Sequence, residues 1–155
     1  METERQYWLL KSEPESYGID HLRRDKIEAW TGVRNFQARN HMMKMEKGDL
    51  CLFYHSSTKE KGVAGVAKVA RVAHPDATQF DKKSHYYEPR ATKEKPMWFC
   101  VDVAFVEKFK HVVTLGEMKL DPKLQGMLVR SKFSRLSVQP VSEKHFNYIR
   151  TKLAK

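Results

Sequence analysis

Hydrophobic and polar positions alternate most clearly late in the chain. Phe99, Val101, Val103 and Phe105 fall on one face, and Cys100, Asp102 and Ala104 on the other. A period of two is the mark of a strand, and it predicts the longest one over Met97–Phe109. Leu50–Tyr54 is continuously apolar and predicts a buried strand entered through the turn Gly48-Asp49. Gln6–Lys11 is aromatic and apolar, and Ser12-Glu13-Pro14 ends it because proline lacks a ladder donor. Val63–Ala73 is a fourth strand, whose Gly65 admits a close neighbour, and Arg135–Pro140 a short fifth.

Helical spacing is weaker. Ile19–Arg24 reads as a short helix with Asp20 as its N-cap. After Trp30 a polar helix is expected to carry Arg34, Asn35, Gln37, Arg39 and Asn40, with Ala38, Met42 and Met45 on its core face. Thr114 and Glu117 have capping-box spacing, with Val113 and Met118 as a staple. Asp121-Pro122 reads as a second cap with proline at the first helical position. Ser142 caps a final helix with a Val141–Phe146 staple and a stripe of Phe146, Ile149 and Leu153. His55–Gly62 reads as a polar loop. His74–Pro96 reads as a long surface loop, the kind that is often functional. Five strands with short helices and no regular βαβ alternation predict an α+β domain built on a small curved sheet or barrel. No repeat or linker interrupts residues 1–155, so a single domain is expected.

Charge changes the picture. A net charge of +10 points to a polyanion, with nucleic acid ahead of a membrane surface. The basic residues are dispersed: Lys59 and Lys61, Lys82 and Lys83, Arg90–Lys95, Lys108 and Lys110, Arg130–Arg135. No apolar run is long enough to span a bilayer, and Met1–Arg5 has no signal-peptide pattern. A cytoplasmic protein is expected, or a nuclear one in a eukaryotic cell, without a membrane partner and as a monomer. Cys51 and Cys100 sit in apolar strands and read as reduced packing residues.

No metal, cofactor or catalytic residue is expected. Paired-cysteine and His-Glu-x-x-His motifs, a Walker loop, a dinucleotide fingerprint and the deaminase signature are all missing. Cys51 and His55 share a strand face but lie about 13 Å apart at roughly 3.3 Å per residue. Ser12 beside Glu13, or His55 beside Ser56, would point to opposite strand faces, so neither makes a dyad.

Trp30-Thr31-Gly32-Val33-Arg34-Asn35 joins a flat ring to planar amide and guanidinium groups. That set suits a nucleotide: the ring stacks on the base, amides read its edge, arginines meet phosphate. The plainer alternative makes Trp30 core and the polar residues a solvated face. Lys11-Ser12-Glu13, Tyr54-His55-Ser56-Ser57 and Arg135-Leu136-Ser137 each lie at a strand end. With Trp8 and Trp30 they would wall a base-sized cavity, unless they are only turn residues.

These stretches resemble the EVE domain family. The resemblance rests on Trp8–Pro14, Trp30–Asn40, Phe53–Ser56, Gly62–Ala67, the Tyr-rich Ser84–Tyr87, and Arg135–Pro140, in order over nearly the whole chain. Thr31 stands where the family often has Asp, and Phe36 where it often has Tyr. The resemblance implies a PUA-like pseudo-barrel of mixed strands with short helices at its edges. It also implies a reader of modified nucleobases in DNA or RNA, similar to the YTH domain, with Lys11-Ser12 and Trp30-Thr31 at the pocket and Trp30 as a cage wall. The expected binding set is Trp8, Lys11, Ser12, Glu13, Trp30, Thr31, Val33, Arg34, Asn35, Gln37, Arg39, Tyr54, His55, Ser56, Arg135 and Ser137. Two other readings stay open: an RNA-docking assembly module indifferent to modification, and a small-molecule enzyme using the same pocket.

Overall fold

The computed structural model describes residues 5–131 and 135–155. Met1–Glu4, and Lys132 within the basic group Arg130–Arg135, lie outside them. Six strands form one mixed sheet: β1 (Tyr7–Ser12), β2 (Ile27–Ala29), β3 (Leu50–His55), β4 (Gly62–Pro75), β5 (Phe99–Thr114) and β6 (Val138–Val141). Their order is β2-β5-β4-β3-β1-β6. Only β1 and β3 pair in parallel, with Lys11 beside Tyr54 and Ser12 beside His55. The sheet does not close, since β2 and β6 form its two edges. Helix α3 (Phe36–Met43) nevertheless packs on both β5 and β6, far apart in the sheet order. The sheet must therefore wrap around α3. The register shifts along the β4–β5 pair, where bulges increase local bending, allow it to do so.

Both sheet faces are covered, which explains the continuous apolar runs in β1, β3 and β4. Trp8, Leu10, Cys51, Phe53, Val69, Val101 and Val103 pack with Trp30, Ala38 and Met42 on the α3 side. Leu9, Leu52, Tyr54, Val66 and Phe109 pack with Met118, Phe146 and Ile149 on the other. That second side is held by α4 (Leu115–Leu120) and α5 (Glu143–Tyr148), the latter continuing as a wider turn over Ile149–Leu153. The capping box between Thr114 and Glu117 forms, and Ser142 caps α5 by accepting from the His145 amide. Asp121 likewise accepts from the Lys123 amide ahead of Pro122. At Gly65 an added Cβ would collide with the Glu107 carbonyl and meet Ile19 at 2.9 Å, so the strand does need a bare backbone there.

Several expected boundaries move. Among the described residues four short elements are absent from the sequence reading: α1 (Pro14–Tyr17), β2, and single turns of tight helix at Ala77–Phe80 and Leu128–Arg130, each too short to show a period. The helix α2 (Ile19–Asp25) starts from Gly18 rather than Asp20. The His21 ring accepts from the Gly18 amide, and Asp20 instead pairs with Lys108 at 2.9 Å. Arg34 and Asn35 precede α3 rather than lie on it, because the Asn35 side chain accepts from the Ala38 amide as N-cap. β6 begins at Val138 rather than Arg135, although the Ser137 carbonyl still accepts from Lys11.

Candidate functional site

The chain between β2 and α3 is irregular and pinned by hydrogen bonds. The Trp30 amide donates to the Val101 carbonyl at 2.8 Å, and the Gly32 amide to the Asp76 carboxylate at 2.8 Å. Gly32 has φ +86°, and a Cβ there would sit 2.8 Å from the Tyr86 ring. Glycine is required twice, for the left-handed backbone and for the aromatic packed against it. Asp76 is fully buried. Burial alone would raise its carboxyl pKa. Hydrogen bonds from Thr78, Gly32 and Arg34 outweigh burial and hold it below the ordinary value. Arg34 spans Asp76, Thr78, and the Val33 and Tyr86 carbonyls at 2.8–3.1 Å. Its guanidinium also lies over the Tyr86 and Trp98 rings, at 5.2 and 5.3 Å.

This segment walls two adjoining cavities that share Ser12, Trp30 and Thr31. The larger, about 450 Å³, is lined by Lys11, Ser12 and Glu13 from the end of β1 and by Trp30–Arg34. Ser16, Ser56, Tyr86, Arg135 and Ser137 complete it. The smaller, about 200 Å³, adds Tyr17, Glu28 and Ala29. Trp30 is both core and wall: 7% exposed, it meets Phe53 edge-on at 5.4 Å and Tyr17 edge-on at 6.2 Å. Burial lowers the Lys11 pKa, and its ammonium lies 5.7 Å from the Tyr54 ring centre.

The structure thus brings together Lys11, Ser12, Glu13, Trp30, Thr31, Val33, Arg34, Ser56, Arg135 and Ser137. It does not bring in six others. Trp8 is core, its indole N–H donating to Asp49 at 3.0 Å. Asn35 is occupied as the α3 cap, and Gln37 is exposed on α3, outside the lining. Arg39 donates to the Met97 carbonyl at 2.8 Å and lies over Phe36 and Trp98. Tyr54 belongs to the core on the far sheet face. His55 accepts from the Ile19 amide at 3.1 Å. Burial, helped by Lys108 and opposed by Asp20, keeps its imidazole pKa below the ordinary value. Sequence reasoning did not select Tyr17, Ser16, Glu28, Ala29, Gly32 or Tyr86 for the site. Gly32 lies within the singled-out stretch Trp30–Asn35 and Tyr86 within the Tyr-rich run Ser84–Tyr87; the other four carry no local signal.

A Cys-His-Asp grouping lies outside these two cavities. His74 contacts Asp102 at 2.9 Å and the Cys100 sulfur at 3.8 and 3.9 Å from its two ring nitrogens. Near-equal distances place the sulfur against the ring rather than in line with one nitrogen. Burial, reinforced by Asp76 and Asp102, pushes the Cys100 thiol up to about 12, where little thiolate forms at neutral pH. Among the described residues no cluster of His, Cys, Asp or Glu could hold a metal ion, and no helix is long and apolar enough to cross a membrane.

A model of the EVE domain matches residues 6–152. Human thymocyte nuclear protein 1 is 36% identical over 162 residues, covering 92% of this chain and 72% of its own length. The chicken protein of that name is 38% identical, and the chain spans 66% of its length, about two thirds. A protein from Leishmania major superposes with TM-score 0.91 at 52% identity, covering 95% of this chain and 93% of that one. Human THYN1, solved in complex with 5-methylcytosine-containing DNA, superposes with TM-score 0.89 at 36% identity, covering 97% and 98%.

Proposed function

Because the chain belongs to the EVE domain family, we propose that it binds nucleic acid as a single-chain module and holds one modified nucleobase, flipped from its stack, against Trp30. The observation that carries this reading is the cavity of about 450 Å³ at the β1 and β2 ends, with Trp30 in its wall and Lys11, Arg34 and Arg135 on its lining. Its volume falls in the roughly 300–1,000 Å³ range of small-ligand sites. The solved complex of a relative with methylated DNA supports the same ligand class.

The energetics are consistent. Extruding a base costs a few kcal/mol. Stacking returns about 1–3 kcal/mol, and phosphate contacts to a chain of charge +10 supply a salt-sensitive remainder. A single added methyl in a fitted pocket contributes about 1–3 kcal/mol, so discrimination is modest. Arg34 acts here by shaping the wall, since its hydrogen bonds hold it to the Asp76 loop. Phosphate falls to exposed cations such as Arg135, Lys59 and Lys61. A binding module suits the site better than an enzyme: Ser12 donates its hydroxyl proton to the Tyr17 carbonyl at 2.6 Å rather than to a side-chain base among the described residues.

The test is a panel of matched oligonucleotides, DNA and RNA, with and without a modified base, titrated over a salt series. Affinity should fall steeply with salt and favour one modified member. Trp30→Phe, which keeps an apolar ring, should reduce that preference. Lys59→Ala with Lys61→Ala should lower all affinities together. Salt-independent binding, or equal affinity across the panel, refutes the reading.

A further inference from the structure

We propose that the smaller cavity selects bases bearing an amine at pyrimidine position 4 or purine position 6, with the Glu28 carboxylate as the accepting group; this rests on the reading that a base enters the site. The two cavities differ in the hydrogen-bonding character of their walls. The larger carries Lys11, Arg34 and Arg135, whereas the smaller has no cation and one carboxylate, Glu28. Its other oxygens have already spent their protons. The Ser12 hydroxyl donates to the Tyr17 carbonyl at 2.6 Å, and the Tyr17 hydroxyl donates to Asp25 at 2.9 Å. Glu28 accepts from the Ala29 amide through one oxygen at 3.2 Å and faces the Tyr17 hydroxyl, whose one proton goes to Asp25, so the carboxylate keeps lone pairs to offer. What these oxygens still offer is lone pairs; the Thr31 hydroxyl can turn to serve either role, and the Trp30 indole N–H can only donate.

Such a wall suits a donor. Cytosine N4 and adenine N6 each present an amine, and a carboxylate accepts from the former. Thymine O4, in the place of the cytosine amine, would bring another lone pair against Glu28 and lose hydration without recompense. Glu28, on β2, and Trp30, one residue past its end, both line the smaller cavity. A base stacked on Trp30 therefore has its edge within the reach of the carboxylate's cavity.

The experiment compares one single-stranded oligonucleotide carrying a central 5-methylcytosine with its twin carrying thymine. The twins share the 5-methyl group and differ in the amine or oxo group at position 4, with the matching change at N3. Wild-type protein should favour the 5-methylcytosine twin by about 5- to 150-fold. Glu28→Gln, whose amide can donate to O4, should bring the ratio near one by raising thymine affinity. Glu28→Ala should also reduce the ratio, without that gain, and melting temperatures confirm folding of both. Equal wild-type binding of the twins, with 5-methylcytosine still preferred over cytosine, overturns this inference and leaves the base-reading function standing. A ratio unchanged in both variants also overturns it. Absence of any preference for a modified base removes the function and this inference together.

Discussion

Asp76 is the hinge of the site's architecture, and removing it should be costly. Its fully buried carboxylate accepts from the Gly32 and Thr78 amides at 2.8 Å each, from the Thr78 hydroxyl, and from Arg34 at 3.1 Å. Asp76→Ala leaves these donors without their acceptor. Breaking a buried ion pair costs about 3–5 kcal/mol, but the Arg34 side chain is 21% exposed and water can reach it. The lower end, about 3 kcal/mol, is therefore expected. Asp76→Asn keeps the shape and one acceptor oxygen, and should cost less. Because hydrogen bonds hold the folded carboxyl below its ordinary 3.8, Asp76 stabilises the fold at neutral pH. That contribution is lost as pH falls below the unfolded value and through the folded one. Urea denaturation at pH 7, and again at intervals down to pH 2, measures both effects. The gap between wild type and Asp76→Ala should narrow in acid. A neutral-pH gap under about 1 kcal/mol, or one that stays constant to pH 2, would refute the reasoning. The variant should also lose oligonucleotide affinity, since Gly32 and Arg34 lose their anchor beside Trp30.

Further outcomes follow from neighbouring geometry. Gly32→Ala should destabilise the protein by about 1–2 kcal/mol through its left-handed backbone alone, and by more through the Tyr86 contact; Tyr86→Ala in the same chain should recover only the second part in a melting experiment. His55 is held neutral by burial while accepting from Ile19, so stability should decline as pH falls through the unfolded histidine value near 6.5 and level off below the folded one; His55→Gln should flatten that decline in a pH series of denaturation midpoints. Trp30→Ala should cost about 3–5 kcal/mol of stability because the ring is core as well as wall, so melting and binding must be read on one sample.

The local pattern of this chain carried much of its structure. Alternation over Phe99–Phe105, the apolar run at Leu50–Tyr54, the capping box at Thr114 and the bare backbone at Gly65 all depend on neighbouring residues or on a single position's sterics. The strand-end clusters were legible for the same reason, and most of their members do meet at one cavity. Tertiary structure decided the rest. Trp8 and Trp30 look alike in sequence, but Asp49 takes the Trp8 indole into the core while the β2–β5 pairing carries Trp30 to the cavity wall. Arg34 reads as a free cation until Asp76, Thr78 and Tyr86 arrive from more than forty residues away. β2 has only three residues and exists because β5 offers an edge to pair with. Glu28 enters the site by that pairing, which no local spacing encodes. Periodicity and capping are short-range effects that one sequence displays. Which of two similar side chains is buried, clamped or left facing a cavity depends on partners that only the folded chain assembles.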